Sequence, residues 1–342
     1  MSRIVGLSKQ IYATIINRID ILFVLFMVGL STRYYFYISK LSSPMWDAAT
    51  YLENARNWMT GTPLFESYRP PMISWLTAFI WVLTGEGWES VKFLAVLYTL
   101  GAGVMLYITL KKHKGGLFAF GVTILTMLNS QVFFYSSQIY SESLALFFLA
   151  ATLLIVKLGR PNLWFLAGIT AGLTFASRYP IILQAVSIIV CESIARKKWT
   201  LGLRAAAGTV AMVVLVVVIM NFKTGTFEMA LNKDTSLTVL LSPYYIFHSI
   251  DIWGVVVVLV PLALLFRKTY VDSYNYAFIG WFIVSLLFWS ANSSNHQFRF
   301  AIQFTPAVYY LVILAIDNFA SMSSGKPYAH SFLASYKQKS TL

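Results

Sequence analysis

The sequence is poor in charge and nearly without cysteine. Of its 342 residues only 11% are charged, while 58% are hydrophobic. Soluble domains carry roughly 25% charged residues, so a water-soluble globular fold is excluded. The one cysteine, Cys191, excludes a disulfide framework within the chain. Acids are scarce too, 13 against 26 lysines and arginines, which leaves a net charge of +13. A nucleic-acid-binding protein would gather that charge on one soluble face. Here it falls in short clusters between apolar runs, so no nucleic-acid partner is expected. The chain has no GxxxxGK[ST], no GxGxxG after a strand and no HExxH. P-loop chemistry, a soluble nucleotide-sugar site and a zinc protease are thereby set aside. With no cysteine pair and no histidine cluster, neither a metal nor a cofactor is expected.

What is present is a series of long apolar runs. A spanning helix needs about 20 mostly apolar residues. The runs predict an all-α, polytopic bundle of about ten spans, near 19–38, 90–110, 117–134, 140–157, 163–178, 179–195, 201–221, 252–266, 275–291 and 299–320. Residues 1–320 read as one transmembrane domain, with 1–18 as an interfacial helix and the first span uncleaved. Residues 321–342 read as a flexible polar cytosolic tail. Lys111-Lys112-His113-Lys114, Arg196-Lys197-Lys198 and Arg267-Lys268 would face the cytosol, and most acids would lie outside. Residues 71–84 are too short for a span and read as a juxtamembrane or re-entrant helix after Pro70-Pro71. Residues 48–59 read as a short amphipathic helix with Tyr51, Leu52, Ala55, Trp58 and Met59 on one face, ended by Gly61. Gly168 and Gly172 form a GxxxG pair suited to close helix packing.

Between the first two predicted spans lies an unusually polar stretch, Pro44 to Pro71. Its 28 residues hold one Asp, two Glu and two Arg. Asp47, at the start of the predicted loop helix, reads as a helix N-cap, a place from which its carboxylate is also well set to accept a proton. Arg69 is either an interfacial anchor or a bidentate phosphate ligand. The same two readings apply to Arg178, at the end of the fifth span, and to His296 and Arg299, one turn apart before the last span. Glu142 opens the fourth span, where a carboxylate is costly unless it works or sits at the interface. Tyr51 and Tyr140 flank these acids and, with Glu142, are candidate contacts for a sugar or acceptor.

Several of these residues resemble a known family. Trp46-Asp47-x-x-x-Tyr51, Ala55-Arg56, Gly61 and Arg69-Pro70-Pro71 resemble the first external loop of the type C glycosyltransferases. The nearest branch is that of protein O-mannosyltransferases and 4-amino-arabinose lipid A transferases. Tyr140-x-Glu142, the run Leu166–Thr174 with Arg178 and Pro180, and Arg299-Phe300 with Pro306 extend the likeness over residues 46 to 310. Ala48 departs from it, since many relatives have a second acid there. The resemblance implies a cell-membrane, multi-pass hexosyl- or pentosyltransferase with its site on the non-cytosolic face. Its donor would be a polyprenyl-phosphate-linked sugar, and its acceptor a glycan, lipid or protein. Asp47 would be catalytic, with basic residues near the later motifs holding the lipid phosphate. Beside this stand two alternatives: a lipid-linked sugar flippase or transporter, and a non-catalytic subunit of a membrane glycosylation complex.

Overall fold

The computed structural model describes residues 18–225, 248–291 and 298–323. Among them there is no strand, and the helices follow the apolar runs. They are α1 (Ile19–Ile38), α2 (Asp47–Thr60), α3 (Met72–Thr84), α4 (Trp88–Val91), α5 (Leu94–Lys114), α6 (Gly116–Leu128), α7 (Ser130–Ser136) and α8 (Ser141–Leu158). After these come α9 (Trp164–Ser177), α10 (Ile182–Ala195), α11 (Trp199–Thr224), α12 (Ser249–Trp253), α13 (Leu259–Leu265), α14 (Arg267–Val271), α15 (Tyr276–Ala291) and α16 (Thr305–Ser323). The expected interfacial helix at 1–18 and the tail lie mostly or wholly outside the described residues.

The predicted count of ten spans is not confirmed by the length and composition of the described helices. Among the described residues five helical segments are long and apolar enough to cross a membrane: α1, α4 with α5, α8, α11, and α16 with the turn before it. The pair α6 and α7 makes a sixth if its 60° bend is spanned as one unit. That bend sits at Asn129, whose side-chain oxygen accepts hydrogen bonds from the backbone N–H groups of Gln131 and Val132 and so starts a new helix. The helices α9 and α10 have 14 residues each, about 21 Å at 1.5 Å per residue, short of the hydrocarbon core. The run expected at 252–266 is broken at Gly254, which takes φ 77° between α12 and a 3-10 turn.

Charge sorts to the two ends of the bundle. At one end Lys111 reaches Asp20 at 2.6 Å, Lys114 pairs with Asp272, and Lys157 pairs with Glu192 at 2.5 Å. The basic clusters of the sequence all lie at this end. At the other end lie α2, α3 and the starts of α8 and α10. Here α3 packs on α2, and Ser74 donates to the Tyr51 carbonyl at 3.0 Å. Helix α2 ends at Gly61, whose φ of 77° suits glycine. Met59, expected on the apolar face of α2, is instead exposed, and Asn54 is buried there.

Small residues let α9 and α11 cross closely. A Cβ on Gly168 would come 1.9 Å from the Ala205 carbonyl oxygen, and one on Gly208 would come 2.2 Å from that of Phe165. The crossing fixes the end of α9, and with it Arg178.

Candidate active site

The end of the bundle that carries α2 holds an alternating chain of charges. Asp47 is the first residue of α2, after Trp46 in a left-handed conformation (φ 45°). A non-glycine residue rarely adopts that conformation. The carboxylate does not cap the helix, as one of its two expected roles required. Its oxygens instead accept from two arginines: Oδ1 from Arg69 at 3.1 Å and Oδ2 from Arg299 at 2.5 Å. Arg69 is gripped on its other side by Glu66. Arg299 also faces Glu142, with Nε 3.6 Å from Oε1. Glu142 in turn accepts from Arg178 at 2.6 Å, and Ser141 accepts from the same guanidinium at 3.1 Å. The order is therefore Glu66, Arg69, Asp47, Arg299, Glu142, Arg178, three acids alternating with three bases.

The local sequence explains each position. Pro70 and Pro71 stop the loop and start α3, which brings Arg69 back over the first turn of α2. Arg178 sits in an extended residue between α9 and the turn Tyr179–Ile181, with Pro180 at the start of that turn. Its guanidinium lies 4.4 Å from the Phe300 ring centroid. Arg299 is on the 3-10 turn Phe298–Phe304 that leads into α16.

Tyrosines line the cluster. The Tyr140 ring lies 5.9 Å from the Arg299 guanidinium, and its hydroxyl donates to the Met45 carbonyl at 3.4 Å. The Tyr51 ring lies 5.6 Å from Arg69. Burial pushes both phenols up. Burial alone would also push the Asp47 carboxyl up, but Arg299 and Arg69 hold it below the usual carboxylate range. Asp47, Arg69 and Arg299 keep 23%, 19% and 16% of their side-chain surface exposed, so they are reachable. Glu142 is only 1% exposed and turns to its arginines.

Of the candidates in the sequence, Asp47, Tyr51, Arg69, Tyr140, Glu142, Arg178 and Arg299 come together. His296 lies outside the described residues. Sequence reasoning missed Glu66, Ser141 and Asn54. Spacing offered a signal for two of them: Glu66 stands three residues before Arg69, and Asn54 two helical turns after Asp47. Among the described residues no group of three His, Cys, Asp or Glu side chains is placed to hold a metal ion. All three site carboxylates are instead engaged by guanidinium groups.

The fold and this charged end define a polytopic helical membrane protein. The profile of the dolichyl-phosphate-mannose-protein mannosyltransferases matches residues 68–222. In fold the chain is similar to ArnT from Cupriavidus metallidurans, solved in the apo state and bound to undecaprenyl phosphate. The TM-scores are 0.69 and 0.67 at 15% and 16% identity, over 90% and 89% of this chain. The chain spans 62% and 61% of the ArnT chains. No curated protein matches it. The resemblance read from the loop motifs is thus met again in the profile and in the fold.

Proposed function

We propose that the chain is a membrane glycosyltransferase that moves a sugar from a polyprenyl-phosphate donor to an acceptor hydroxyl or amine. The observation that carries this is Asp47 held between Arg69 and Arg299 at a reachable surface. Two guanidiniums on one carboxylate form a site for an oxyanion. A donor phosphate that enters competes for those donors and frees the carboxylate. Asp47 then takes the proton of the acceptor as its oxygen or nitrogen attacks the anomeric carbon. The bond from that carbon to the phosphate oxygen breaks, and the polyprenyl phosphate leaves with the electron pair. Arg69 and Arg299 stabilise the charge on the leaving oxygen, and Arg178 supports Arg299 through Glu142. Tyr51 and Tyr140 are buried beside the acid and back Arg69 and Arg299, while Glu142 holds Arg299 and Arg178 in place. The positive-inside rule supports a non-cytosolic face for this end. The profile match and ArnT's undecaprenyl phosphate support a lipid-linked donor.

A transporter of lipid-linked sugar is less favoured by the placement of charge. A transport path carries ionisable groups near the midplane. Among the described residues the ionisable side chains lie within two turns of a helix end. The deciding experiment gives the purified chain, in liposomes, a labelled polyprenyl-phosphate-sugar and a pool of acceptors. Label transferred to an acceptor is the expected result. Donor moved across the bilayer with its sugar intact would replace this reading with the flippase.

A further inference from the structure

The phosphate-facing end of Arg69 depends on how the loop before it is held, and one buried amide holds that loop. Asn54 is in α2, seven residues after Asp47 and three after Tyr51, so all three share a helix face. It is 3% exposed. A buried amide needs partners, and Asn54 finds them in the loop backbone. Its Oδ1 accepts from the N–H of Phe65 at 2.8 Å and of Glu66 at 3.4 Å. Its Nδ2 donates to the Glu66 carbonyl at 3.1 Å. That same carbonyl accepts from the Arg69 N–H at 3.2 Å and closes the turn that carries both side chains. The Glu66 carboxylate then grips the Arg69 guanidinium, whose other side meets Asp47. Apolar burial does not fix the turn at Phe65, which is 67% exposed.

From this we infer that Asn54 is a positioning residue: through the Glu66 turn it sets the guanidinium of Arg69 for the donor phosphate. The inference rests on the donor reading above. A backbone turn anchored at one end by a side-chain amide keeps Arg69 within reach of an entering oxyanion without needing Asp47. Asp47 can then be displaced while Arg69 stays in place. Glu66 is the standing counter-ion in that arrangement, so its carboxylate steers rather than reacts.

The test is a double-mutant cycle read by binding of a polyprenyl monophosphate to the full chain. Asn54→Ala should weaken binding on the order of tenfold, through the lost anchor. In an Arg69→Ala background the same change should weaken it less than about twofold, because the residue it positions is gone. Asn54→Asp keeps the two acceptor contacts and loses one donor, so it should fall between. It also serves if the alanine variant does not fold. Hydrogen exchange at Phe65 and Glu66 should rise in Asn54→Ala, which loses both acceptor contacts. An equal loss with and without Arg69, or unchanged exchange, overturns the inference and leaves the donor reading standing. A wild-type chain that binds no polyprenyl phosphate overturns the donor reading, and the inference with it.

Discussion

Asp47→Asn separates the two jobs that the geometry gives this residue. In the wild type both carboxylate oxygens are occupied, by Arg69 at 3.1 Å and Arg299 at 2.5 Å. The amide keeps one acceptor oxygen and turns an N–H₂ toward the other arginine. It also removes the only carboxylate between the two guanidiniums. An anion entering between them then no longer competes with a fixed negative charge. At an effective dielectric of about 20, a unit charge 4 Å away is worth ~4 kcal/mol before screening. Even a third of that is ~1.4 kcal/mol, or about tenfold. The variant should therefore bind a polyprenyl phosphate about tenfold more tightly. Its transfer rate should fall by ~10²–10⁴-fold, the usual loss when an acid–base group goes. Tighter binding with slower transfer is an unusual pair of outcomes, and plain misfolding does not produce it. The assay is titration of the purified variant with polyprenyl phosphate, with transfer from a labelled donor measured in parallel. Wild-type transfer, or binding and transfer lost together, would refute the reasoning.

Other consequences can be read from the same contacts. Arg299→Ala should lose much of the transfer rate, and Arg299→Lys should recover only part, since an ammonium cannot make the bidentate contact; full activity in the alanine variant would leave Arg299 an anchor only. In the free protein Asp47 stays ionised below the usual carboxylate range, so the acid limb of kcat/KM for donor should lie there. Once phosphate has taken the arginines, the carboxyl loses the groups that hold it down, and the acid limb of kcat should move to higher pH; coincident limbs would contradict the exchange. Gly168→Ala puts a methyl into the Ala205 carbonyl, and overpacking of this kind costs about 1–3 kcal/mol. The melting temperature of the purified protein should fall clearly, and an unchanged value would mean that the helices can separate without loss.

The parts of the fold that came through from sequence were those with one dominant cause. Long apolar runs gave helix positions within a few residues: 19–38 was expected and found, and 140–157 became Ser141–Leu158. Gly61 and Pro70-Pro71 marked the helix ends around the loop, because their backbone limits act locally. The bend at Asn129 was hidden, since one polar residue inside an apolar run also fits a continuous helix. The count of ten spans is not confirmed for a related reason: apolar composition alone does not set the length of a helix, and α9 and α10 have 14 residues each. In the site, Asp47, Arg69, Glu142 and Arg299 stood out as charges in a chain with few of them. Their pairing did not, because Arg299 is 252 positions from Asp47. Asn54 was hidden most completely. An amide on a short amphipathic helix reads as a surface residue until the loop folds back over it.

The central claim is that the arginine pair holds a donor phosphate while Asp47 deprotonates the acceptor. A single-turnover experiment with excess wild-type protein and a labelled polyprenyl-phosphate-sugar tests it most directly. Quenched samples are analysed for free polyprenyl monophosphate and for sugar joined to acceptor. The account predicts that both appear at one rate, and that in Asp47→Asn the donor stays bound and intact. Sugar transfer at the wild-type rate in Asp47→Asn, or donor consumed with no glycosylated acceptor, would contradict it.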